Sequence, residues 1–243
     1  MFEIKNEEKN FSELLNLTLN GVCEFPCWEI EKMNFTSNSV SFLHGGGNFN
    51  EIYGNHLAYR KKAYAHFLVK PVPDMAFLLD DIILYLKQKL EPQRVTSDVL
   101  WLKRSDSEQR DYSIPLDIFK AANVSVVTYD WFTLPELKQL HMKDLFDVDK
   151  PLERKIQLRV WLAVKTLLGA SVVVTDRLHG HIICNLLHLP HVILDNNYGK
   201  LFNYHHTWTA SLKKVKFATN PNEAAQMALR LLESRKSEHP QSV

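Results

Sequence analysis

Short apolar runs alternate with longer amphipathic stretches along most of this chain, and each apolar run ends in a polar cluster. Ser39 to His44, Val99 to Leu102, Val124 to Tyr129, Ser171 to Thr175 and Val192 to Leu194 read as strands. Such runs without strict alternation belong to strands covered on both faces. Between them, helical spacing predicts helices over Phe11 to Leu19, 55–67, Asp80 to Leu90, Arg154 to Leu168, 180–188 and Asn222 to Leu232. Gly169 suits the end of the fourth of these. Lys70-Pro71-Val72-Pro73-Asp74 interrupts the pattern and marks a domain boundary. Strands that alternate with helices predict an α/β protein with mostly parallel, doubly wound sheets.

The polar clusters all follow strand ends, where open α/β sheets bind ligands. The densest is Thr175-Asp176-Arg177-Leu178-His179-Gly180-His181, directly after Val172-Val173-Val174. It sits between a strand and the first turn of a helix, whose free N–H groups attract anions. A permanent cation and two imidazoles there suit a phosphate or carboxylate with acid–base chemistry beside it. Asp176 as a plain N-cap is the competing reading. A metal on His179 and His181 is a weaker one, because residues two apart do not share a helical face.

Other clusters are open to two readings each. Gly45-Gly46-Gly47-Asn48 allows a ligand close to the backbone, or is a tight turn. It lacks the dinucleotide and P-loop spacings. Arg104 with Asp106 and Glu108 is a strand-end site or a solvated charge run. Lys200, His205, His206 and Trp208 suit a sugar, or a buried tryptophan beside surface histidines. Arg104, Asp130, Arg177 and Asn197 each follow a strand and are expected on one rim.

Composition narrows the classes. The 243 residues carry 29 Lys and Arg against 28 Asp and Glu, a net charge of +1, which argues against a nucleic-acid partner. Three cysteines without a zinc spacing predict reduced thiols. No apolar run approaches the ~18–20 residues of a membrane span, and the amino terminus reads as too polar and acidic for a signal peptide. The expected location is the cytoplasm, or a secretory-pathway lumen if an anchor lies upstream.

Together these segments resemble the polysaccharide pyruvyl transferase family over about residues 39–210. The resemblance rests on Gly45-Gly46-Gly47-Asn48-Phe49, Val72-Pro73-Asp74-Met75-Ala76-Phe77 and Leu102-Lys103-Arg104-Ser105-Asp106-Ser107-Glu108. The Asp176 to His181 string, Leu194-Asp195-Asn196-Asn197-Tyr198-Gly199-Lys200 and Thr207-Trp208 continue it. It implies a glycosyltransferase-B-like fold of two Rossmann-type domains, residues 1–78 and 79–243. It also implies an enzyme that moves the pyruvyl group of phosphoenolpyruvate onto two hydroxyls of a glycan to form a ketal. The donor is a substrate, and neither a cofactor nor a metal is implied.

On that resemblance His179 is the proton shuttle and Asp176 orients the turn. Arg177 and Arg104 hold the donor's phosphate and carboxylate. Gly46, Gly47, Asn48, Glu51, His181, Asn197 and Lys200 complete substrate binding. Asn50 and Glu51 stand where relatives carry glycine and aspartate, and relatives insert tens of residues between the helix at 55–67 and Val72. The first domain is therefore expected to be incomplete, and activity impaired in this short form. Two rival functions remain: a glycosyltransferase using a nucleotide sugar, and a non-catalytic carbohydrate-binding or regulatory remnant.

Overall fold

The computed structural model describes residues 74–90, 95–131, 133–134 and 152–238. The motif around Gly46, Gly47, Asn48 and Glu51, the helices expected at 11–19 and 55–67 and the strand at 39–44 lie outside them. So does nearly all of the expected first domain.

After a 3₁₀ turn over Met75–Leu79, the elements are α1 (Asp80–Leu90), β1 (Ser97–Leu102), α2 (Leu116–Ala121) and β2 (Val126–Tyr129). Then come α3 (Leu152–Leu168), β3 (Ala170–Thr175), α4 (Leu178–Leu186) and β4 (His191–Leu194). Last are α5 (Lys200–Tyr204), a π-helical turn (His205–Thr209), β5 (Val215–Ala218) and α6 (Pro221–Glu238). The strands form one five-stranded sheet in the order β2-β1-β3-β4-β5, and every pairing is parallel. The chain winds outward from β1 to β2, then returns to the other side of β1 with β3. The winding reverses at the carboxyl ends of β1 and β3, the position where such sheets place ligands.

The apolar runs follow from this burial. Val99, Trp101, Val172, Val174, Val192 and Leu194 face one way and pack with Phe119 of α2 and Ala224, Ala225, Ala228 and Leu232 of α6. The three alanines let α6 approach the sheet closely. α1, α3 and α4 pack on the opposite face, so both faces are covered and the strands lose their alternation.

The helix after β3 starts at Leu178, two residues before the sequence predicts. Gly180 explains why the contact is so close. A Cβ built on it would lie 2.9 Å from Leu102 Cδ2 and 3.0 Å from Thr175 Oγ1, both in fully buried residues. Gly180→Ala is expected to destabilise the chain by roughly 1–2 kcal/mol. Overpacking costs about 1–3 kcal/mol and outweighs the ~1 kcal/mol gained in helix propensity. A melting temperature equal to or above that of the unaltered chain would show that Leu102 yields without cost.

Candidate active site

Four strand ends build one rim. Thr175, the last residue of β3, donates its hydroxyl to the Leu102 carbonyl of β1 (3.0 Å) and accepts the Arg177 N–H (3.0 Å). The next residue, Asp176, is fully buried and reaches across to the end of β1. Its carboxylate accepts the Arg104 N–H (2.7 Å) and the Tyr112 hydroxyl (3.0 Å), while Trp101 Nε1 donates to that hydroxyl (3.2 Å). Burial pushes the Asp176 carboxyl upward, opposed by these bonds and by the Arg104 and Arg177 charges. The N-cap of α4 is Arg177, with no side-chain capping bond, so Asp176 is not a cap. It is a positioning residue that ties β1 to β3, not a group presented to substrate.

The arginines meet at this rim as expected, and each is ion-paired. Arg177 forks onto Asp130 at the end of β2, with Nε on Oδ1 (2.8 Å) and Nη2 on Oδ2 (2.6 Å). Its Nη1 reaches Asp106 Oδ2 at 2.7 Å. Arg104 grips the same Asp106 through Nε (2.9 Å) and Nη2 (3.1 Å), and Nη2 also lies 2.6 Å from Glu108. Burial raises the Asp106 carboxyl, but the Arg104 hydrogen bond and the Arg177 and Arg104 charges outweigh it and hold it down to about 2. Lys200 stands 3.9 Å from Glu108. Asn197 donates its backbone N–H to the Glu108 carbonyl (3.3 Å) and its side-chain amide to the Ser107 carbonyl (3.0 Å). The loop after β4 is thereby joined to the loop after β1. Arg104, Asp130, Arg177 and Asn197 thus share one rim.

His179 and His181 part company. His179 is exposed in the first turn of α4, whereas His181 is fully buried. The expectation that His181 binds substrate is corrected by its surroundings. Its Nδ1 lies 2.8 Å from His191 Nε2, and its Nε2 lies 2.9 Å from the Thr209 hydroxyl. Both ring nitrogens are engaged in the interior, which also removes the two-histidine metal reading.

The direction of this buried chain follows from its ends. The Leu189 carbonyl can only accept, so His191 Nδ1, 2.8 Å away, donates. Neutral His191 then accepts at Nε2 from His181 Nδ1–H, and His181 accepts at Nε2 from Thr209. The Thr209 oxygen is free to accept from His205 Nδ1 at 2.9 Å. Burial, then the neighbouring histidines, lower His181 to about 2. Burial likewise lowers His191, to about 4, against the Leu189 bond, and lowers His205. A proton on His191 Nε2 would set two donors face to face.

These depressed values make the fold acid-sensitive. The stability they confer is complete above the ordinary histidine value of 6.5 and is lost as pH falls toward the folded values. Each of His181 and His191 is expected to remove roughly 1.4 kcal/mol per pH unit within that window. Asp176 has the opposite slope, but it is one group against two. Urea midpoints at pH 7 and pH 5 test this, and equal midpoints would refute a neutral buried pair.

Sequence reasoning missed several members of this network. Tyr112 lies in an irregular segment, His191 and Thr209 lie 18 residues apart, and His205, expected beside a sugar, instead joins the buried chain through Thr209. The one available signal was His191 itself, a histidine heading the apolar run Val192-Ile193-Leu194, where burial is expected. Trp208 is half-buried, and exposed His206 packs against Phe202 at a tilt, with ring centroids 4.0 Å apart.

Comparison with known proteins adds to this geometry. The family model described as "Polysaccharide pyruvyl transferase" matches residues 59–198. "Pyruvyl transferase 1" of Schizosaccharomyces pombe is 33% identical over 151 residues, covering 59% of this chain and 34% of that protein. "Putative pyruvyl transferase EpsO" of Bacillus subtilis is 56% identical over 34 residues, covering 14% of this chain and 11% of that protein. The matched parts therefore span about a third of the fungal relative and about a ninth of the bacterial one. Among the described residues, no helix is long and apolar enough to cross a membrane.

Proposed function

The chain belongs to the polysaccharide pyruvyl transferase family, and from that premise we propose that it serves transfer of the pyruvyl group of phosphoenolpyruvate to a saccharide acceptor, forming a ketal. One observation carries the reading. Two arginines from different strand ends converge at the winding reversal, with an exposed histidine two residues beyond one of them.

Phosphoenolpyruvate presents a phosphate and a carboxylate, and guanidinium forks bind both with two parallel hydrogen bonds. Arg177 and Arg104 are the groups for these anions, with Lys200 and Asn197 beside them. A proton delivered to the methylene carbon by His179 makes the neighbouring carbon electrophilic. Imidazole is the side chain suited to such exchange near neutral pH. A sugar hydroxyl attacks that carbon, its bond to the phosphate oxygen breaks, and a second hydroxyl closes the ring. The two hydroxyl protons account for the one gained by the methyl group and the one carried off by phosphate. Asp176 keeps Arg104 and the turn in place.

In this reading the five-stranded sheet is the second half of a glycosyltransferase-B-like pair, with residues 1–78 in a shortened first half. The donor is a substrate and no cofactor is required. Incubating the full chain with phosphoenolpyruvate and galactose-, glucose- or mannose-containing glycans should release phosphate and yield a pyruvylated glycan. Calorimetric binding of a nucleotide sugar in place of phosphoenolpyruvate would transfer the site to a glycosyltransferase. Binding of the glycan alone would leave a carbohydrate-binding remnant.

A further inference from the structure

Resting on the donor reading above, we propose that the Asp106 carboxylate occupies the anion position of the Arg104–Arg177 clamp, and that a ligand phosphate or carboxylate binds by displacing it. Two guanidinium groups from different strand ends close on this single carboxylate, at 2.7 to 3.1 Å. That is the arrangement expected around a bound oxyanion, with a protein side chain in the ligand's place.

Burial picks out Asp106 among the three carboxylates. The Asp130 and Glu108 side chains are 3% and 7% exposed, and those of the arginines 10% and 8%, but Asp106 is 34% exposed. Solvent reaches the cluster at Asp106. Asp130 is also fixed by the Ser105 N–H and hydroxyl and by the Trp131 N–H, so it holds the Nε–Nη2 edge of Arg177 permanently. Beyond the arginines, Asp106 is held through its carboxylate by the Glu108 N–H at 3.1 Å. It is the carboxylate built to leave.

Exchange is favoured over addition because two like charges on one pair of guanidiniums repel in a poorly solvated site. Departure of Asp106 strips the Glu108 N–H of its acceptor and loosens the turn at 106–108. Asn197 grips that turn through the Ser107 and Glu108 carbonyls. Anion binding is thereby coupled to the loop that leads into Lys200 at the start of α5.

The test is calorimetric titration of inorganic phosphate into the full chain and into Asp106→Asn, which keeps the shape and removes the charge. The variant is expected to bind phosphate roughly tenfold more tightly, the scale of one charged hydrogen-bond competitor. Equal or weaker binding, or no binding to either protein, overturns the proposal even if phosphoenolpyruvate binds the unaltered chain. Tighter phosphate binding without phosphoenolpyruvate binding to either protein keeps the displacement and ends the donor reading. If Asp106→Asn does not fold, residue-resolved hydrogen exchange on the unaltered chain decides. Phosphate should speed exchange of the Glu108 amide, and an unchanged or slower rate overturns the proposal.

Discussion

Replacing His179 with asparagine is expected to lower pyruvyl-transfer turnover by ~10²-fold or more, the usual scale of general acid–base catalysis. Phosphoenolpyruvate affinity should stay within a few-fold. His179 is exposed in the first turn of α4, and asparagine keeps a polar side chain of similar reach there. Asparagine can still donate a hydrogen bond but cannot pass a proton to carbon. Phosphate release in single turnover and calorimetric donor binding separate the two effects. Abolished binding with turnover preserved at saturation would make His179 a donor ligand and leave the proton to another group.

Arg177→Leu is expected to cost about 3–5 kcal/mol of stability, the range for breaking a buried ion pair by removing one partner. Asp130 is 3% exposed and loses both bonds of its fork, so its buried charge keeps only the Ser105 and Trp131 donors and loses the arginine cation. Adding Asp130→Asn should recover part of the loss by removing that charge. Urea denaturation of the two single variants and the double variant measures this. A double variant no more stable than Arg177→Leu would place the cost in packing instead. Arg177→Lys should be milder for the fold and still weaken donor binding, because one ammonium cannot hold Asp130 and reach a bound anion at the same time.

Much of the scaffold was legible because burial on both sheet faces leaves a direct mark. Val99 to Leu102, Ser171 to Thr175 and Val192 to Leu194 appear as apolar runs, and all three are strands within a residue or two of the expected limits. α1, from Asp80 to Leu90, matches its prediction. β5 left no such mark, since it is a sheet edge and Lys216 in its middle is exposed. α2 is only six residues long, and α5 with its π-helical turn mixes aromatic and polar residues without a clear period.

The chain's own order determined which chemistry stands at strand ends: Arg104, Asp130, Asp176 with Arg177, and Asn197. A parallel strand must stop in a polar loop, and that requirement is local. The spacing of His179 and His181 likewise meant that they could not face the same way, being ~200° apart around a helix. Only the tertiary structure decided which of them turns inward, because that depends on where β4 places His191. It also decided that Asp106 stands between arginines 2 and 71 residues away in sequence. No local pattern encodes the strand order that brings those groups together, since it is set by which faces bury best across the whole sheet.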